Sequence, residues 1–356
     1  MSESYTVRLE PVGLEFEVEE GETVLDAAFR NGVSLPHGCK VGQCSSCKCH
    51  LLEGEVDLLK YSTFALSDGE REQGGILLCR SLPQDDLVIE LLNFDEELLS
   101  KSIIVRTFAG VISGIEKLTH DIRSIEIDLE EPIKFWAGQY VDITVRTKDG
   151  ETITRSFSMA NTPDQAEKLR FIIKKYPDGR FSGELDDGGI EVGADVSVRG
   201  PFGTCFRRED RTGSLVLVAA GSGISPIWSI LHDHIASGED RPVQFYYGAR
   251  TQADLFYLDD LAALTRAHPR ITFTPVLSHA ADDATWTGAR GFVHEVVASE
   301  LRRLQFDGDG CAYACGPPPM IDALTPALFL LDFDPDRTHY DKFTPSTVPA
   351  TLQVTA

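Results

Sequence analysis

Positive charge is scarce in this chain. Its 356 residues carry 33 Lys and Arg against 56 Asp and Glu, a formal net charge of −23 with a pI near 4.7. So acidic a surface repels nucleic acid and anionic membrane alike, and neither is expected as a partner. Long apolar runs are also missing: none approaches the roughly 20 residues that span a bilayer. The opening MSESYTVRLE has no basic and apolar signal region, so export is not expected, and a cytoplasmic location suits thiols kept for metal. No internal repeat or low-complexity tract interrupts the sequence. One ordinary core does not fill this length, and two or three domains are expected.

The acid is concentrated early: residues 1–95 hold 18 Asp or Glu against 7 Lys or Arg. Such an excess is usually a solvated face, but on an electron carrier it can also steer docking to a basic rim. Four of the eight cysteines make that second possibility relevant. Cys39, Cys44 and Cys47 stand as C-x4-C-x2-C and Cys79 follows after a long interval, the plant-type spacing for the ligands of a 2Fe-2S cluster. Gly38, Gly42, Ser45 and Ser46 in HGCKVGQCSSC let the backbone close around a cluster and aim amide N–H groups at its sulfurs. A zinc site normally repeats a C-x2-C pair, which is not the pattern here. Disulfides or small buried residues are the remaining alternatives. Cys49, Cys205 and Cys311 are read as buried core thiols.

Patterning divides the chain into three units. The first, residues 1–95, has strand-like YTVRLEPV and LEFEVEE, a short helix capped by Thr23 with Asp26 in the box and Gly32 past its end, the cysteine loop, and a closing strand DLVIELL. These elements make a compact α+β domain, and with the plant-type cysteine spacing it resembles the ferredoxins of β-grasp fold. Residues 96–103 read as a linker. From 104 to 210, six strand-like runs at short spacing suggest an antiparallel β-barrel. From 211 to 343, LVLVAAG, VQFYYGA, ITFTPVLS and CAYACG each precede a helical stretch, which implies an α/β parallel sheet binding its ligand beyond the strand ends. Residues 344–356 form a tail.

Within the barrel, Arg155-Ser156-Phe157-Ser158 ends one strand and Gly179-Arg180-Phe181-Ser182 follows another; FWAGQY supplies Phe135, Gly138, Gln139 and Tyr140. Together they resemble the flavin-binding domain of the ferredoxin reductase superfamily over residues 104–343. The resemblance implies that Arg155 neutralises the pyrophosphate, with Ser156 beside it, that Phe157 packs on the flavin, and that Ser158 places its hydroxyl near N5. It implies too that Gly179 admits the diphosphate and Ser182 donates to it from a helix start. The family commonly has Tyr where this chain has Phe157.

The strand LVLVAA runs into Gly221-Ser222-Gly223-Ile224-Ser225-Pro226, a tight phosphate-facing turn before a helix, with Pro226 suited to its first turn. The third position is Pro rather than Gly, and the strand ending at Tyr247-Gly248 lacks the usual acid for a ribose. With Cys315-Gly316-Pro317 after the last strand, this resembles the nicotinamide domain of the same superfamily. The resemblance places Cys315 beside the nicotinamide C4. In Tyr340-Asp341-Lys342-Phe343 it makes Phe343 a movable cover on the flavin and Asp341 an electrostatic or proton-relay group.

A nicotinamide yields two electrons as one hydride and a 2Fe-2S cluster takes one at a time, so a carrier able to exist as a semiquinone must lie between them, and a flavin fills that gap. The domain order resembles the reductase components of soluble bacterial diiron monooxygenases, such as the methane, propane and phenol hydroxylase systems. It implies an NADH:acceptor oxidoreductase with FAD and a 2Fe-2S cluster, whose partner is a diiron hydroxylase. NADH is preferred over NADPH because His279, not Arg, follows the third strand and the stretch AADDATWTG is acidic, although Arg250 is nearby. The alternatives are the reductase of a Rieske ring-hydroxylating dioxygenase and, in another class, a redox-sensing interaction module.

Overall fold

In the computed structural model, residues 4–93, 95–209, 212–280, 285–306 and 308–344 are described. The expected tail beyond residue 344, and residues 281–284 of the acidic stretch, lie outside them. The chain forms two compact units. One comprises Met1–Arg106 with Pro201–Thr204, the other Thr107–Gly200 with Cys205–Ala356.

The first unit has strands β1 (Ser4–Glu10), β2 (Leu14–Glu19), β3 (Lys48–Glu53), β4 (Val56–Leu58), β5 (Gly75–Leu77), β6 (Ser81–Pro83) and β7 (Leu87–Glu90), with helices α1 (Val24–Arg30), α2 (Asp68–Glu72) and α3 (Glu96–Ser100). Five strands form a mixed sheet in the order β2-β1-β7-β3-β5, while β4 and β6 make a separate pair. Alternation decides the faces: Val7 and Leu9 of β1 and Phe16 and Val18 of β2 point inward, their charged neighbours outward. Thr23 caps α1 by accepting the Asp26 N–H at 3.2 Å, and Val24, Leu25, Ala27, Ala28 and Phe29 bury its inner face. The stretch expected to be a linker, 96–103, opens with the short α3, which Asp95 caps from the preceding position.

The second unit contains β8 (Arg106–Lys117), β9 (Ile122–Leu129), β10 (Tyr140–Arg146), β11 (Thr152–Ser158), β12 (Lys168–Lys174), α4 (Arg180–Asp187) and β13 (Asp195–Phe202), except that Arg106 and the last two residues of β13, Pro201 and Phe202, belong to the first. These six strands run in the order β11-β10-β13-β8-β9-β12, and an antiparallel bridge from Met159 to Phe171 links its two ends into the expected barrel.

The unit continues with β14 (Ser214–Ala220), α5 (Ile224–Ser237), β15 (Val243–Ala249), α6 (Leu258–Ala267), β16 (Ile271–Leu277), β17 (Ala289–Arg290), α7 (Val293–Arg303), β18 (Gly310–Gly316), α8 (Pro318–Phe329) and β19 (Thr338–Lys342). These strands form one parallel sheet in the order β17-β16-β15-β14-β18-β19. Helices cover both faces, so β14 and β18 are buried almost throughout, which explains why they read as continuous apolar runs. Strand order reverses between β14 and β18, where such sheets bind ligands. The barrel and this sheet share one apolar cluster: Ile122, Ala137, Ala160, Ile172 and Cys205 pack with Leu215, Leu217, Ile227, Ile230 and Tyr313.

Candidate functional site

The cysteine loop lies between α1 and β3, and Cys79 stands in the turn after β5. Two residues in the left-handed region, Lys40 (φ 56°) and Gly42 (φ 71°), wind the loop tightly. A Cβ at Gly42 would lie 2.8 Å from Tyr61 Cβ and 2.9 Å from Arg80 Cγ, so only glycine fits. The winding turns amides toward sulfur: Gln43 N–H donates to Cys39 Sγ at 3.1 Å and Cys39 N–H to Cys44 Sγ at 3.4 Å. Gly42 N–H serves Cys79 in the same way. Cys47 and Cys79, 32 residues apart, bring their sulfurs to 3.4 Å.

Proton sharing follows from this geometry. The contact with Cys39 pulls the Cys44 thiol down to about 5 and raises Cys39; the contact between Cys47 and Cys79 lowers Cys47 and raises Cys79. Four convergent sulfurs with amide donors suit a cluster that needs thiolates. A Cβ on Gly38 would be 3.2 Å from Cys44 Sγ, so the backbone is closed in on this pocket. Cys49, by contrast, is buried on β3, and desolvation pushes its thiol up to about 12, as the core-thiol reading expects. Sequence reasoning missed His37. Its Nε2 accepts the Gly203 N–H at 3.1 Å, so Nδ1 carries the proton and donates to Leu35 O at 2.7 Å. The ring sits edge-on to Phe29 and Phe202.

In the barrel, Arg155 lies on β11 opposite Ile143 and donates to Thr154 O at 2.7 Å. Burial, then the charge of Arg180, pushes its guanidinium down. Among the described residues no carboxylate pairs with Arg155, so a diphosphate would relieve the repulsion between two neighbouring cations. Arg180 is held by Glu151. Ser156 Oγ donates to Asp142 at 2.6 Å. Phe157 packs on Phe181 with centroids 4.8 Å apart, and Ser158 ends the strand, buried opposite Tyr140. Gly179 precedes α4, and a Cβ there would strike Ser182 Oγ at 2.4 Å. Ser182 Oγ accepts the Tyr176 N–H and donates to Gly179 O. Gly138 (φ 107°) lies so close to the Cys205 carbonyl that a Cβ would be 2.4 Å from it.

At the sheet's switch point two loops touch. Gly221 takes φ 56°, and a Cβ on Gly223 would lie 2.1 Å from Cys315 O and 2.8 Å from Gly316 N. Pro226 is buried in the first turn of α5, and Pro317 caps α8. Cys315 is fully buried, with Sγ 3.8 Å from Cys205 Sγ, and desolvation pushes its thiol well up. Strand β19, which the pattern of four β-then-helix units did not anticipate, sets Asp341 opposite Cys315, and Phe343 N–H donates to Gly316 O at 2.9 Å. Phe343 packs partly buried on the shared apolar cluster. The sequence marks Cys205 only as a core thiol; its contact with Cys315 spans 110 residues and leaves no local signal.

Residues 7–84 match the family described as 2Fe-2S iron-sulfur cluster binding domain, 109–206 the oxidoreductase FAD-binding domain, and 217–325 the oxidoreductase NAD-binding domain. The reductase component of propane 2-monooxygenase from Gordonia sp. (strain TY-5) is 41% identical over 97% of this chain and 98% of its own. The chain belongs to the family of monooxygenase reductase components. Another member, the phenol 2-monooxygenase reductase component DmpP of Pseudomonas sp. (strain CF600), is 38% identical over 90% of this chain and 89% of its own. The solved structure of Amycolatopsis cytochrome P450 reductase GcoB superposes with a TM-score of 0.85 at 30% identity, covering 96% of this chain and 99% of that one. As a family member, this reductase is an oxidoreductase with 2Fe-2S, FAD and NAD domains. No helix among its described residues is long and apolar enough to cross a membrane.

Proposed function

We propose that this reductase takes hydride from NADH and delivers electrons one at a time to the diiron hydroxylase component of a multicomponent monooxygenase in the cytoplasm. The observation that carries this reading is the coexistence, on one chain, of a four-thiol pocket lined with amide donors and, at the switch point of the parallel sheet, two glycine loops in contact. When bound, FAD would supply the change from a two-electron hydride to single electrons, and a 2Fe-2S cluster would supply one-electron transfer. In this reading the domains are residues 1–95, 104–210 and 211–343. Cys39, Cys44, Cys47 and Cys79 hold the irons.

Arg155 neutralises the flavin diphosphate with Gly179 and Ser182 at the opening of α4, Phe157 packs on the flavin, and Ser158 presents its hydroxyl to N5. Ser156 keeps Asp142 in place. The turn from Gly221 to Gly223, together with Pro226, orients the dinucleotide, and Cys315, Gly316 and Pro317 line the nicotinamide. Because burial keeps the Cys315 thiol protonated, it serves as a neutral wall rather than as a base. Phe343 yields its place to nicotinamide, and Asp341, opposite Cys315, biases the field there. NADH is the donor: His279, whose Nδ1 lies 2.9 Å from Ser278 Oγ, offers no fixed cation to a 2′-phosphate.

The acidic residues 1–95 steer delivery toward a basic acceptor surface. The test is NADH-driven reduction of purified diiron hydroxylases, Rieske oxygenases and a cytochrome P450 at increasing salt. A diiron hydroxylase should be reduced fastest, with a second-order rate that falls as the Debye length shrinks from about 10 Å towards about 3 Å. Preference for another acceptor would overturn the partner, and a salt-independent rate would overturn the steering.

A further inference from the structure

Hydroxyls within helices usually bond back to a carbonyl of their own helix. This chain does so at Thr325, which donates to Ile321 O, at Thr265 to Ala262 O, and at Ser237 to His234 O. Two serines of α5 break the habit. Ser225 Oγ donates to Ser158 O at 2.6 Å, and one turn later Ser229 Oγ donates to Asn161 O at 2.7 Å. Both are almost completely buried, and their i, i+4 spacing puts them on one face of the helix. Their acceptors lie at the end of β11 and just beyond it.

The first of these bonds joins the two halves of the hydride site. Ser225 is two residues past Gly223, whose bare Cα lets α5 lie against the carbonyl of Cys315. Ser158 is the residue assigned to flavin N5. The start of α5 thus touches the nicotinamide side through Gly223 and the flavin side through Ser225. The Ser229 bond lies a turn away from both. Asn161 itself is fixed by accepting the Arg170 N–H at 2.9 Å and donating to Gln165 O at 3.0 Å.

We propose that Ser225 is a positioning residue for hydride transfer: its bond to the Ser158 carbonyl sets the register between nicotinamide and flavin, while Ser229 only fastens the helix. This rests on the assignment of Ser158 to the flavin. Misplacement of reacting atoms by about 1 Å costs about a hundredfold in rate, so a lost stitch is visible kinetically without loss of either ligand.

The experiment compares full-length holoprotein with S225A, S225T, S229A and S158A. Its readouts are the limiting rate of flavin reduction by NADH in anaerobic rapid mixing, the apparent NADH affinity, the long-wavelength charge-transfer absorbance and the melting temperature. S225A should slow the limiting rate about ten- to a hundredfold and weaken the charge-transfer band, with NADH affinity and flavin content within about twofold of the parent; S225T should restore both. S229A should lower the melting temperature as much as S225A while keeping the parental rate. A parental rate in S225A, or equal slowing in S225A and S229A, would overturn the proposal. If S158A slows and S225A does not, the stitch alone fails; a parental rate in S158A would remove the flavin assignment and the proposal with it.

Discussion

Gly223→Ala should disable hydride acceptance while leaving the iron-sulfur half intact. The backbone at Gly223 is right-handed (φ −62°, ψ −11°), so alanine meets no torsional objection there. What it meets is Cys315: the new carbon would lie 2.1 Å from the carbonyl oxygen and 2.5 Å from the carbonyl carbon. Carbon and oxygen normally approach no closer than about 3.3 Å, so α5 must retreat from β18 by about 1 Å. Overpacking of this kind costs about 1–3 kcal/mol of stability. The same displacement between reacting groups costs about a hundredfold in rate, about 2.7 kcal/mol.

Two other glycines calibrate the result. Gly183 of α4 has nothing within 4 Å of its missing Cβ, so Gly183→Ala should stabilise by about 0.5–1 kcal/mol. Gly221 also faces open space but takes φ 56°, so Gly221→Ala should cost about 1–2 kcal/mol from the backbone alone. The assay is anaerobic rapid mixing with NADH followed at the flavin, with the dithionite-reduced spectrum of the cluster as the folding control. A Gly223→Ala protein with an intact spectrum and a rate within about threefold of the parent would refute the close-approach argument.

Cys79→Ser should abolish the cluster spectrum and its acid-labile sulfide while flavin reduction by NADH continues; Cys49→Ser should retain both, as iron and sulfide analysis will show. Arg155→Ala removes a charge-assisted contact of about 1.5–3 kcal/mol, so FAD should be lost on gel filtration, and full retention would move the flavin site elsewhere. Burial lowers the pKa of His232 and His234 on α5. A base whose folded pKa is depressed gives stability that is complete above its unfolded value, near 6.5, and declines as pH falls toward the folded value. Melting temperature should therefore decline below about pH 6.5, and part of that decline should disappear in His232→Gln.

What could be read from the sequence was whatever is local. The four-cysteine spacing, the Thr23 cap and the glycine turn after LVLVAA are each written within a few residues or a fixed pattern, and family matching and secondary structure agree with the domain types they suggested. Two strands escaped for physical reasons. β17 is only two residues long, and β19, THYDK, alternates without an apolar run because it is an edge strand with little to bury. The Ser225–Ser158 bond and the Cys205–Cys315 contact join residues 67 and 110 positions apart. Serine and cysteine carry no pattern that announces such partners, and the readings of His37 and Cys205 waited on the fold.

The apolar cluster shared by the barrel and the parallel sheet bears on modularity. Family matching treats the two as separate pieces, 109–206 and 217–325, yet Ile122, Ala137, Ala160 and Ile172 from the first complete the same cluster as Leu217, Ile227 and Ile230 from the second. Neither piece is a free-standing cassette. A chimera that takes its nicotinamide half from a relative inherits a cut surface fitted to other side chains, and calorimetry of the native reductase should find the two halves melting in one transition. Exchange of donor specificity within this family is therefore better sought in the loops beyond the strand ends than by transplanting the whole sheet.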